Sequence, residues 1–278
     1  MFWRTLSAIT ISTVLLTTLA FTGTPSKEEP PDLVSIPPVG ALEKEPAKQP
    51  PPEENKKITT IPILMYHVIE DYSGPYEQLY TEPAVLRRQI AYLKEQGYTA
   101  VTVAEALNHW QKGTPLPAKP VIFTFDDGYR SIYTEAFPIL KDYNFRATLY
   151  LHTAKINTPG GLTTEMIKEM SGYGLEIGSH SLTHPDLTKI SPARLKKEIQ
   201  LSKKELEKIT GKKVTTFCYP AGRHNARVRE EVRKAGYLGA VTTRYGAATF
   251  QENLYNLSRI RINKSDALQG FINKMNRY

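Results

Sequence analysis

Two adjacent carboxylates, Asp126 and Asp127, follow the run Val121-Ile122-Phe123-Thr124-Phe125 and precede Gly128. Further on, two histidines stand four apart in Ser179-His180-Ser181-Leu182-Thr183-His184-Pro185. Side-by-side carboxylates at the end of an apolar run are costly, because each raises the other's pKa unless a cation or hydrogen bonds neutralise them. A solvated Asp-Gly turn is the bland alternative. Histidines at this spacing share a helix face in zinc proteases. Here Pro185 disfavours helical geometry at His184 and no Glu follows His180, so the protease reading fails. A tight loop with two imidazoles converging on a metal fits instead. Two His and one Asp would leave a coordination position open to water, the catalytic rather than the structural pattern. The second Asp is then available as a base.

These residues need a frame. Val121–Phe125 is short, rich in β-formers and bounded by Pro120 and Gly128, which predicts a buried strand. Comparable runs lie at 61–68, 98–101, 147–151, 175–178, 214–219, 238–243 and 257–262. Between them fall helical patterns at 84–96, 131–143, 164–170 and 226–234, with a last one at 266–275. Thr102 with Glu105 forms a capping box for a helix to Trp110. Ser191-Pro192 opens the longest helix, whose Leu195, Ile199, Ser202, Leu206 and Ile209 make one largely apolar face before Gly211. Alternating strands and helices predict an α/β fold, a distorted (β/α) barrel of about seven parallel strands. In such a barrel both motifs sit at carboxyl ends of strands, where active sites collect. So does His67, which closes the first run.

The 278 residues divide unevenly. Residues 1–22 carry an apolar run from Leu6 to Phe21 behind Arg4, expected to be a secretory signal or an uncleaved N-terminal anchor. Thr18-Leu19-Ala20 is a weak candidate cleavage site. Residues 23–58, rich in Pro, Glu and Lys, cannot bury a core and are expected to be a semi-extended linker. The folded domain is then expected to be 59–278. Residues 61–278 hold 30 basic and 21 acidic side chains, against 6 and 7 in the first sixty. That surplus suits an anionic cell envelope; no nucleic-acid motif accompanies it. The expected location is secreted or anchored at the cell surface, with membrane contact only through the N-terminal segment. A single cysteine, Cys218, excludes an intramolecular disulfide.

Thr124-Phe125-Asp126-Asp127-Gly128 and His180-Ser181-Leu182-Thr183-His184 together resemble the first two motifs of the NodB-type polysaccharide deacetylases, carbohydrate esterase family four. Their order and separation also fit, so the resemblance covers roughly residues 61–278. It implies a metal-dependent hydrolase that removes acetyl groups from N-acetylglucosamine-containing polysaccharide, an exopolysaccharide or peptidoglycan, and releases acetate. By the same resemblance Asp126 is the general base, while Asp127, His180 and His184 hold one divalent ion, zinc or else Co, Ni or Fe. The backbone N–H of Ala221 would face the oxyanion, and Tyr66, Tyr219 and Pro220 are expected to bind substrate.

Two departures narrow the subgroup. The family's third motif places an Arg beside the catalytic Asp, four residues before a Gly. In Phe217-Cys218-Tyr219-Pro220-Ala221-Gly222 that position is Cys218, so tuning of Asp126 by this Arg is expected to be absent. The C-terminal Leu-x-His motif, source of the general acid, is missing as well. Met65-Tyr66-His67, however, resembles the N-terminal motif of the poly-N-acetylglucosamine deacetylases, which implies His67 as the acid. An O-acetyl polysaccharide esterase and a non-catalytic envelope-binding module are the alternatives. His109 and His152 read as structural, and His224 could line the groove.

Overall fold

The apolar runs become strands because each is buried on both faces, by the barrel interior on one side and by helices on the other. The computed structural model describes residues 58–278. The expected signal and linker, up to residue 57, lie outside them. Eight parallel strands form the main sheet: β1 Ile63–Tyr66, β2 Thr99–Val101, β3 Pro120–Asp126, β4 Thr148–Leu151, β5 Glu176–Ser179, β6 Thr216–Cys218, β7 Gly239–Tyr245 and β8 Leu257–Arg261. Seven of them close a barrel in the order β1-β8-β7-β6-β5-β4-β3, with β3 pairing back onto β1. The eighth, β2, pairs with the first half of β3 (Ala100 opposite Val121), and β4 takes over the second half (Asp126 opposite Tyr150). The expected seven-stranded (β/α) barrel is the observed one.

Seven α-helices cover it: α1 Pro83–Glu95, α2 Val103–Lys112, α3 Phe137–Asp142, α4 Thr164–Tyr173, α5 Pro192–Thr210, α6 Ala226–Lys234 and α7 Ala267–Met275. The Thr102–Glu105 capping box starts α2. Ser191 caps α5 by accepting from the Arg194 N–H. The expected helix at 131–143 is instead a π-helical turn over Ile132–Ala136 that runs into α3. Pro138 has no N–H to donate and its ring crowds the preceding turn, which accounts for the widened geometry. No helix among the described residues is long and apolar enough to cross a membrane.

Alternation along the strands sorts the core into two layers. Leu64, Tyr66, Phe123, Phe125, Leu149 and Phe217 belong to one cluster, shared with Leu86, Ile90 and Leu195 of the helices. Their sequence neighbours Ile63, Ile122, Tyr150 and Cys218 belong to the other, with Val241 and Leu257. On β3 the second set continues through Thr124 to Asp126, so the strand delivers a carboxylate to the carboxyl-end rim of the barrel.

Candidate active site

Asp126 is the last residue of β3 and is buried. Burial pushes its pKa up, but the charge and hydrogen bonds of Arg259 overcome this and hold the carboxyl below the ordinary value. Arg259, on β8, is completely buried and grips Asp126 with both ends of its guanidinium: Nη1 to Oδ1 at 2.8 Å and Nη2 to Oδ2 at 2.7 Å. Its remaining donors reach the Thr242 carbonyl and the Thr124 hydroxyl. The third-motif arginine is absent, as expected from Cys218. The position on β6 indeed holds a thiol, yet an arginine does tune Asp126, and it comes from another strand. Nη2 of Arg259 lies 3.2 Å from Cys218 Sγ, so the small side chain leaves room for the guanidinium. Burial raises the Cys218 thiol, which stays protonated as a weak donor to Asp126 at 3.6 Å.

Asp127 leaves the strand's alternation because its backbone turns left-handed (φ 72°), as does Gly128. Its Oδ1 lies 3.4 Å from Nε2 of His180 and 3.4 Å from Nε2 of His184. Burial disfavours the charge on Asp127, but His180 first, then His67 and His184, pull its pKa far below the usual carboxylate range. His180, just past β5, donates from Nδ1 to the Cys218 carbonyl at 2.7 Å, which turns Nε2 toward Asp127. These three side chains form one of two groups among the described residues able to hold a cation; the other is Asp126, His180 and Cys218. The second is the poorer, since both oxygens of Asp126 are bound to Arg259 and the thiol is protonated. One carboxylate and two imidazoles, close together and partly open to solvent, fit a divalent ion of the zinc type.

His67 follows β1, and its Nε2 lies 3.9 Å from Asp126 Oδ2. Burial lowers its pKa below 6.5, against the pull of Asp126 and Asp127. Ala221 sits in the turn Pro220–Gly222 directly beyond β6, exposed and left-handed at φ 51°. Gly222 is obligatory there, as an added Cβ would stand 2.1 Å from the Thr243 hydroxyl. Among the described non-glycine residues with left-handed backbone, Asp127, Ser181, His184 and Ala221 all lie here. Each such residue costs of order 1–3 kcal/mol and persists only where its surroundings fix it.

The expected substrate contacts need correcting. Tyr66 and Tyr219 are fully buried, and Pro220 is buried too. Tyr66 stacks on Phe123 and Phe125 and donates to Gln89 of α1. Tyr219 packs on Phe217 and donates to the Tyr255 carbonyl. The reason is strand parity: each tyrosine adjoins a site residue in sequence and therefore points the opposite way. What opens beside the site is a cavity of about 620 Å³ lined by Val68, Tyr80, Tyr129, Glu70 and Glu135 among others. His109 is structural, bonded to Ile58 and Thr114. His224 stacks on Tyr219. His152, expected to be structural, flanks the site instead. Its ring is 5.5 Å from that of His184, its Nδ1 is buried without a partner, and burial lowers its pKa to about 4.

The family model described as Polysaccharide deacetylase matches residues 113–240. YxkH of Bacillus subtilis is 34% identical over 209 residues, covering 75% of this chain and 74% of that protein. A Staphylococcus aureus protein named poly-beta-1,6-N-acetyl-D-glucosamine N-deacetylase is 32% identical over 200 residues, covering 67% of this chain and 68% of its own length. Among solved structures, the Streptococcus pyogenes deacetylase PplD in complex with acetate superposes with a TM-score of 0.74 at 31% identity. It covers 78% of this chain and 98% of that one.

Proposed function

The chain belongs to the polysaccharide deacetylase family, and from that premise we propose that it hydrolyses the N-acetyl groups of an N-acetylglucosamine polymer, leaving acetate and a free amine. One observation carries the reading: an acid–base pair, Asp126 and His67, stands beside a three-donor cluster of Asp127, His180 and His184. Zinc is the ion this donor set suits best. When bound, such an ion supplies Lewis acidity toward the acetyl carbonyl and toward water.

The protein's own groups supply the rest. Arg259 keeps Asp126 ionised, so Asp126 can accept the proton of the attacking water. Arg259 also makes Asp126 a poor keeper of that proton. His67, whose Nε2 is 3.9 Å away, is placed to receive a proton and pass one to the leaving nitrogen. The Ala221 N–H, at the barrel rim, serves as donor to the developing oxyanion. The polymer would run along the cavity lined by Tyr80 and Tyr129, whose rings and neighbouring carboxylates suit a hydroxyl-rich chain. The poly-β-1,6-linked polymer named for the Staphylococcus aureus relative is the first substrate to try. The apolar stretch 6–21, the Pro-rich segment and the basic surplus support secretion or anchoring beside an anionic envelope.

The test is acetate release by the zinc-loaded chain from a panel of poly-β-1,6-N-acetylglucosamine, peptidoglycan and O-acetylated xylan. New amines on an N-acetylglucosamine polymer are expected. Acetate from xylan alone would replace this reading with an O-acetyl esterase. Calorimetric titration with zinc checks the ligands separately: Asp127→Ala and His184→Ala should each bind the ion far more weakly. Parent-like affinity in either variant would refute that residue's assignment.

A further inference from the structure

His180 and His184 are held in different ways. The His180 ring is fixed directly by its bond to the Cys218 carbonyl. The His184 ring has Asp127 as its polar partner among the described residues, and its side chain is about a third exposed. Its position therefore depends on the backbone of the loop 180–184. That loop is strained, with Ser181 at φ 69° and His184 at φ 58°, and something must hold it.

A carboxylate on α5 stands where it can. Glu198 is buried, and its carboxylate is turned to the loop. Its Oε2 accepts the N–H groups of Leu182 (3.1 Å) and Thr183 (2.8 Å), and its Oε1 accepts the Thr183 hydroxyl at 2.6 Å. The opposite wall is the turn beyond β4, where Thr153 N–H donates to the Ser181 carbonyl and Ala154 N–H to that of Leu182. Within the loop, the Ser181 hydroxyl accepts the His184 N–H. Glu198 thus collects the donors between the two histidines while the other wall collects the acceptors. The nearest cation, Arg194 at 3.6 Å, is mostly exposed and contributes little.

We propose that Glu198 is a positioning residue that sets His184 in register with His180 and Asp127, and so sets the affinity of the site for its divalent ion. The inference rests on the reading of His180 and His184 as ligands. Outer residues that orient metal ligands typically account for 10–100-fold in affinity. Glu198→Ala leaves two loop N–H groups without their acceptor, whereas Glu198→Gln can accept both and offer its amide N–H to the Thr183 oxygen.

Glu176 provides the control. It is a half-buried carboxylate that also has three donors (Thr148, Ala104 and Thr216), but it begins β5, at the opposite end of the barrel. Zinc titration of the full chain should show Glu198→Ala weaker than parent by roughly 10–100-fold. Glu198→Gln should recover most of that loss, and Glu176→Gln should keep parent affinity while melting earlier. The visible spectrum of the cobalt-loaded chain should change in Glu198→Ala and not in Glu176→Gln. Should Glu198→Ala not fold, Thr183→Ala decides, since it removes one of the three bonds and should still bind zinc measurably more weakly. Parent affinity and an unchanged cobalt spectrum in the deciding variant overturn this inference alone. A parent chain that takes up no zinc overturns the ligand reading and this inference with it.

Discussion

Arg259→Met should destabilise the domain by about 3–5 kcal/mol, the usual consequence of removing one partner of a buried ion pair. Both partners are almost wholly out of water, and the pair is bidentate. The pH dependence is the sharper signature. In the parent, Asp126 titrates below its ordinary value, so its ionisation adds stability at any pH above the unfolded value. That contribution is lost only as pH falls through the folded value. Without Arg259 the opposing effect, burial, is left with only the weaker pull of His67 and His180. The folded value should then rise, and stability should fall as pH rises through it. The difference in Tm between parent and variant is therefore expected to be larger at pH 7 than near pH 4. The acid limb of the kcat/KM profile should move to higher pH in step. Arg259→Lys keeps a charge but not the fork, and should lie between the two. An equal Tm difference at both pH values would show that Arg259 acts by packing and not on Asp126.

Arg259 also marks where sequence reading stops. Asp126-Asp127 and His180–His184 were legible because each pair is contiguous or nearly so, and because a strand–loop frame fixes where such residues emerge. The Asp126–Arg259 contact spans 133 positions and joins β3 to β8. Nothing local announces it. One signal was present: Leu257-Ser258-Arg259-Ile260-Arg261 carries charges at alternate positions of a run expected to be buried on both faces, and a fully buried Arg is rare unless paired. Read with the missing third-motif Arg, it pointed to a substitute from another strand.

The misplaced tyrosines have a simpler cause. Strands buried on both faces read as continuous apolar runs, so the sequence does not say which alternate set faces inward. Tyr66 and Tyr219 adjoin His67 and Cys218 in sequence, which parity turns into the opposite face. Glu198 was readable in principle. It falls on the stripe of Leu195, Ile199, Ser202 and Leu206, where a carboxylate needs partners, and the helix alone cannot supply them. His152 carried no such signal; the parallel pairing of β4 with β5 brings the end of β4 beside the loop after β5.

His67→Ala should retain the fold and zinc binding yet lose roughly 10²–10⁴ in kcat on an N-acetylated oligomer, the usual worth of a general acid. An amide nitrogen leaves poorly without a proton, and the C-terminal histidine of the family pattern is missing. His67 is the imidazole that faces Asp126 from β1 without belonging to the cluster of Asp127, His180 and His184. Burial holds its pKa below 6.5, so at neutral pH it is mostly unprotonated in the free protein. On the proposed mechanism it gains its proton during turnover, and the carboxyl 3.9 Å away, the proposed base, is the nearest source. Loss of His67 should then matter least where no proton is needed. An activated aryl acetate has such a leaving group, and the variant should hydrolyse it with a much smaller deficit. Near-parent turnover on the oligomer would remove His67 from the reaction. The role would then pass to His152, an imidazole at the rim whose Nδ1 has no partner among the described residues.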